Sequence, residues 1–496
     1  MAATTPASSA SPSAPADGEA DPKAVKTGLI LVVGILAVVF DSTIVSVALH
    51  TLVTQLHSSV STIQWVSTGY LLALGMTVPL STWGLRRYGG KRLWMFALTA
   101  FLVGSIGSSL AWNAGSLIGW RVVQGAGGGL LLSVLTTLIM QAAGGKSLGR
   151  TVTLIALPAL LGPILGPLIG GAILTHLSWR FMFWVNVPCC LVGLMLAARY
   201  LPKDTVAPAR PKLDTLGYAL LAPGIAALIL GLSNAGAAAG FGHGDVIIPL
   251  AIGVVLLAAF CLHALRESEP IADIRLFAHR AVATSSAVLF FAGFTLYGTM
   301  LLLPLFYQEA RGATALSAGI MLVPQGVGAL LCRGRAGRLT DQIGGRPVAV
   351  VGFAVIAAAT LPFCYADPKT SSWLLALWLL VRGIGLGAVT ISVTAVAYLG
   401  LDRAQIPHAS VLTRTAQQIG GSFGTAVLAV ILESGVTAHR GNLTAAFNIA
   451  FWWSVGFAAL AAALSLWLPR RPRPASPPAP AAGRVNGTTV SGAARS

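Results

Sequence analysis

Apolar runs of about twenty residues, separated by short polar stretches, recur from residue 27 to residue 468. At a rise of 1.5 Å per residue such a run covers about 30 Å, the thickness of a bilayer's hydrocarbon core, so each predicts one spanning helix. Read this way the chain has fourteen spans, over 27–49, 65–84, 93–111, 116–140, 149–176, 181–200, 214–234, 245–265, 281–307, 315–336, 347–365, 372–399, 409–434 and 445–468. The spacing of charges makes the same point: the 59 residues between Lys26 and Arg86 carry only Asp41, and the 53 between Arg92 and Lys146 carry only Arg121. The predicted fold class is an all-α membrane protein. The first run is too long for a signal-peptide core and no small-residue cleavage site follows it, so it counts as a span. Residues 1–26 and 469–496, rich in Ala, Ser, Pro and Gly, bury too little apolar surface to fold and read as tails.

Composition removes whole classes of function. A mean hydropathy of +0.79 with 9% charged residues excludes a soluble multidomain enzyme. The net charge of +17 would suggest nucleic acid in a soluble chain. Here the basic residues sit in short loops, with no cluster interleaved with exposed aromatics, so no nucleic-acid partner is expected. With an even number of spans both tails share one side. Arg180, Arg311, Lys369 and Arg440 fall in loops of the other side, and the positive-inside rule makes the tails cytoplasmic. None of the five cysteines or eight histidines has metal-ligand spacing, and there is no Walker-type loop. No enzyme activity, metal or cofactor is expected.

The chain repeats itself at about 255 residues. Arg86-Arg87-Tyr88-Gly89-Gly90-Lys91-Arg92 after span 2 is echoed by Gly337 through Arg346 after span 10, with Asp341 and Gly344 inside it. Arg121 and the glycines after it in span 4 are echoed by Arg382 and Gly383 in span 12. A duplicated membrane unit follows, with a first six-helix half over 27–200, spans 7 and 8 in a linker over 201–280, and a second half over 281–468.

Three groups carry candidate chemistry. Asp41 is an acid in the middle of an apolar run, where such residues serve ion or proton pathways or anchor helices to one another. Arg121 cannot shed its proton and must find an acceptor or snorkel to the interface, and Gln124, nearly one turn on, extends the polar set. In span 5, Gly162, Gly166 and Gly170 fall on one helix face, with Pro163, Pro167 and Gly171 beside them, a close-packing and kinking element.

These residues resemble the major facilitator superfamily, specifically its fourteen-span drug:proton antiporters of the EmrB/QacA type. Asp41 to Leu49 is similar to the family's first-span motif, with His50 in place of the usual final Pro. Arg121 to Gly129 is similar to the fourth-span motif and Gly162 to Gly171 to the antiporter motif. Trp179-Arg180, Asn186-Val-Pro188, Leu213 to Gly217, Leu322 to Gly326 and Gln417 to Gly421 add to the likeness. The loop after span 2 departs from the pattern: Thr82 and Arg86 stand where Gly and an acid are usual, whereas Gly337, Asp341, Gly344 and Arg346 keep it in the second half.

The resemblance implies proton-driven efflux of hydrophobic or amphiphilic drugs or antibiotics by alternating access, by a lipid-embedded monomer in a bacterial cytoplasmic membrane. Asp41 and Arg121 would couple the proton. Arg87, Gly89, Lys91 and Arg92, with their second-half counterparts, would gate the cytoplasmic end, with more weight on the second loop because it keeps its acid. An uptake symporter on the same fold, and a membrane sensor without transport, are the alternatives.

Overall fold

The computed structural model describes residues 22–470 apart from 59, 144–165, 167–168, 175, 203, 205–211, 238–239, 403 and 440–441. Among the described residues there are helices and no strands, as lipid requires of a chain that must satisfy every backbone group within its own segment. Eleven helices among the described residues are long and apolar enough to cross a membrane.

The first bundle comprises α1 (Pro22–Gln55), α2 (Val60–Thr77), α3 (Leu80–Tyr88), α4 (Gly90–Ser109), α5 (Ala114–Ala143), α6 (Phe181–Trp184) and α7 (Asn186–Tyr200). α1 is helical from Pro22, the first described residue, so helix occupies the last residues of the predicted tail. Pro79 separates α2 from α3 and divides the second predicted span. The fifth predicted span lies mostly outside the described residues; Gly166, residues 169–174 and His176 are helical.

Two further helices follow, α8 (Thr215–Ala237) and α9 (Gly244–Arg266). The second bundle then comprises α10 (Arg280–Leu305), α11 (Ala315–Ile343), α12 (Gly345–Thr360), α13 (Ser372–Ala397), α14 (Ile406–Ala438) and α15 (Leu443–Ser465). Several helices overrun their apolar windows, since a helix continues into the polar interface where water replaces lipid.

Packing repeats between the bundles. α5 lies against α2 and α4, and α1 against α7; in parallel, α13 lies against α11 and α12, and α10 against α15. Small residues make this possible. A Cβ on Gly125 would meet the Tyr70 carbonyl at 2.3 Å and one on Gly129 the Leu74 carbonyl at 2.2 Å, while Gly383 and Gly387 stand likewise against Gln325 and Ala329. α8 bridges the bundles, packing on α2 through Ile225 and Ile229 and on α14 through Leu232. α9 is the most exposed spanning helix: it is apolar all round, and Ile247, Ile248, Val254 and Val255 point outward, as lipid permits.

Candidate functional site

Asp41 and Arg121, the two lone charges of the first apolar runs, meet inside the first bundle. Arg121 Nη1 donates to Asp41 Oδ2 at 2.5 Å, and each side chain is only 1% exposed. Neither charge stands alone. Asp41 Oδ1 accepts from Gln124 Nε2 at 2.9 Å and from Asn186 Nδ2 at 3.1 Å. Arg121 Nη1 also donates to Gln124 Oε1 at 2.8 Å, and its Nε donates to the Val66 carbonyl at 3.1 Å.

The network reaches further through neutral groups. Asn186 Nδ2 donates to Ser105 Oγ, which donates to the Phe183 carbonyl. The Tyr70 ring lies 4.1 Å from the guanidinium carbon and Phe183 5.7 Å, so aromatic faces cover the cation where oxygens do not. Five helices thus contribute to one buried network: α1 with Asp41, α2 with Val66 and Tyr70, α4 with Ser105, α5 with Arg121 and Gln124, and α7 with Asn186. An ion pair this dry is held only when its remaining lone pairs and protons are matched, and removing either member strands the other.

The second bundle has no acid at the matching place. Arg382, 1% exposed, donates through Nε to Thr360 Oγ1, through Nη1 to Gln325 Oε1 at 2.7 Å, and through Nη2 to the Thr295 carbonyl and to Thr299 Oγ1 at 2.5 Å. All four acceptors are neutral. The glycine contacts also fix the register of the repeat. Gly125 and Gly383 take the same position against the neighbouring helix, so Arg382 stands where Gln124 does, about one turn from the level of Arg121.

The turns at the basic end have the same backbone in both bundles. Gly89 and Gly344 have φ of +88° and +90°, reached readily only by glycine, and each donates its N–H to the helix it closes. In the first turn, Asp204 supplies an acid from beyond α7. Its carboxylate accepts from the backbone N–H of Lys91 at 2.8 Å and of Arg92 at 3.0 Å, where a helix start favours an anion. Lys91 Nζ donates to the carbonyls of Ala198 and Leu201. Arg87 and Arg346 are half-buried, Arg92 is exposed, and Gly337 is buried.

Arg86 has its own partner in Glu269, at 3.1 Å, on the segment after α9. That segment is pinned repeatedly. Asp214 caps α8 by accepting from Gly217 N, and it also accepts from Ile271 N and contacts His263. Asp273 N donates to His408 Nδ1 of α14. Asn186, Asp204, Glu269 and Asp214 were not assigned these roles by sequence reasoning.

Of the glycine-proline stretch, Gly162, Pro163 and Pro167 lie outside the described residues. Gly166, Gly170 and Gly171 are buried. A Cβ on Gly170 would stand 3.3 Å from the Ile44 carbonyl of α1, and one on Gly171 would touch Leu316 of α11, a contact between the bundles.

The profile of the Major Facilitator Superfamily matches residues 31–425. The chain belongs to that superfamily. A multidrug resistance protein B homolog of Mycobacterium tuberculosis is 37% identical over 395 residues, 79% of this chain and 73% of that one. The lincomycin resistance protein LmrB of Bacillus subtilis is 28% identical over 397 residues, 80% of this chain and 83% of that one. Among solved structures, the human organic anion transporter MFSD10 superposes with a TM-score of 0.64 at 15% identity, covering 90% of this chain and 100% of that one. The proton:xylose symporter XylE superposes with a TM-score of 0.61 at 16% identity, over 90% and 95%. Membership marks the chain as a multi-pass membrane transporter of small molecules rather than an enzyme.

Proposed function

We propose that the protein is a proton-coupled antiporter that expels hydrophobic or amphiphilic drugs or antibiotics from the cytoplasm, as a fourteen-span member of its superfamily. Two six-helix halves, 27–200 and 281–468, rock against one another, with both tails in the cytoplasm of a bacterium, and the proton gradient replaces any cofactor.

The observation that carries this reading is the saturated, dry carboxylate of Asp41. Its charge holds Arg121 Nη1, Gln124 Nε2 and Asn186 Nδ2, groups from two other helices. A proton on Asp41 cancels that charge and loosens those contacts together, so protonation is coupled to how α1, α5 and α7 sit against one another. A proton taken up from outside favours one arrangement and its release to the cytoplasm the other, while the drug binds them with the opposite preference. The drug-resistance relatives support the outward direction of cargo.

Efflux from energised vesicles of a pump-deficient host, followed against external pH with and without a protonophore, tests the reading. Parent activity should collapse with the gradient, and Asp41→Asn should lose gradient-driven efflux while still binding cargo. Gradient-driven efflux by Asp41→Asn at the parental rate, or net uptake of cargo by the parent, overturns it.

A further inference from the structure

Arg414 lies eight residues into α14, within a membrane-spanning helix, and is half-buried. Its Nη2 donates to Thr136 Oγ1 at 3.1 Å, seven residues before the end of α5. The bond joins the two bundles near their basic ends. Among the described residues no carboxylate pairs with Arg414.

Of the other charges within the helices, Arg333 of α11 is half-buried, and two fully buried ones are committed. Asp41 is saturated within the first bundle, and Arg382 is enclosed by four acceptors with no room for another group. Glu433 shares α14 with Arg414 but lies 19 residues further, about 28 Å along the helix, and is exposed. Among the described residues Asp41 is the only buried carboxylate of the spanning helices and it is already paired, so cargo entering between the bundles from the basic end meets the Arg414 cation inside them.

The bond to Thr136 is unequal in its two partners. Thr136 Oγ1 also donates to the Leu132 carbonyl in its own helix, so it keeps a partner when Arg414 withdraws. Arg414 keeps none among the described residues. Parting of the bundles at the basic end leaves a guanidinium unpaired, and a carboxylate restores it with a stronger, forked pair than one hydroxyl provides. Tyr297, which packs on Gly421 of α14 and is partly exposed, lies near the same guanidinium.

We propose that Arg414 is a specificity-determining residue that receives the negative charge of a carboxylate-bearing amphiphile. The proposal rests on the efflux reading above and deepens it: anion binding favours the arrangement in which Thr136 has been released, so cargo charge and opening are linked.

Three probes separate charge from shape: a dansyl-tagged undecanoate, its methyl ester, and the dansyl-tagged undecyl amine. Fluorescence titration of the full chain in lipid nanodiscs should show the carboxylate bound at least about tenfold more tightly than ester or amine. Arg414→Gln should bring carboxylate and ester to within about twofold of each other, leaving ester affinity unchanged. Arg414→Lys should fall between, since lysine keeps the charge without the fork. Ester binding and the thermal midpoint report whether each variant is folded, and the lysine variant serves if the glutamine one is not. A parent that prefers the amine or shows no preference, or an Arg414→Gln protein that keeps the carboxylate preference, overturns the proposal. Vesicle transport of the ester with no charge preference in binding overturns the selection alone, whereas transport of none of the three probes counts against the efflux reading itself.

Discussion

Arg86 at the end of α3 and Glu269 beyond α9 pair at 3.1 Å across 183 residues of sequence. The pair ties the first bundle's basic turn to the segment that enters the second bundle. Because α8 and α9 precede that segment, the inserted helices become part of the connection between the bundles. The same segment reaches α14 through Asp273 and His408, so it spans from one bundle to the other.

Both members of that pair are about half exposed, so its contribution to stability is under about 1 kcal/mol. Its effect should appear in the transport cycle instead. Arg86→Glu and Glu269→Arg should each change the transport rate with thermal midpoints close to the parent's, and the double exchange should restore the rate. The effect should shrink as salt is raised. Single and double variants with identical rates at low salt would remove the pair from the cycle.

Breaking the buried pair should be far more costly. Arg121→Ala takes the cation from Asp41 in a dry site and should lower stability by about 3 kcal/mol or more. Asp41→Asn combined with Arg121→Gln, which removes both charges and retains polar atoms, should be milder than Arg121→Ala alone. Thermal melting of the purified proteins gives the order, and a double variant less stable than Arg121→Ala refutes the account.

Asp204 should matter to the first basic turn more than its place in a connecting segment suggests. Asp204→Ala removes the acceptor for two N–H groups at the start of α4 and should cost about 1–2 kcal/mol. Gly89→Ala should cost more, since a Cβ there would adopt φ of +88° and meet the Asp204 side chain at 2.3 Å. Melting curves for the two variants test the ranking.

Gly170 tests the seam with α1. Gly170→Leu should insert normally yet fail to cycle, because the side chain must displace Ile44, three residues from Asp41. Undiminished efflux at parental expression would discard the seam.

What the sequence conveys, and what it conceals, follows from physics. Spans are legible because lipid imposes apolar runs of fixed length, and Asp41 and Arg121 stand out because charges in such runs are costly. Asn186 and Ser105 carry no such mark: neutral polar residues are common in membrane helices, and only packing shows that these two reach the carboxylate. Arg414 bears the same mark as Arg121, but an arginine near a helix end usually snorkels, and no pattern in the chain reveals that Thr136 faces it. Asp204 and Glu269 sit in connecting segments, where partner choice is decided by tertiary contacts. The duplication is visible in the glycines, yet its one-turn offset between Arg121 and Arg382 is visible only where helices touch.

Arg382 carries a full positive charge matched only by dipoles, so the second bundle holds a net charge within the bilayer where the first, with Asp41 and Arg121 together, holds none. Moving one elementary charge through the whole membrane against 100 mV requires about 2.3 kcal/mol. Any tilt of the second bundle that displaces Arg382 along the membrane normal therefore performs a fraction of that electrical work. The membrane potential thus acts directly on that bundle's position.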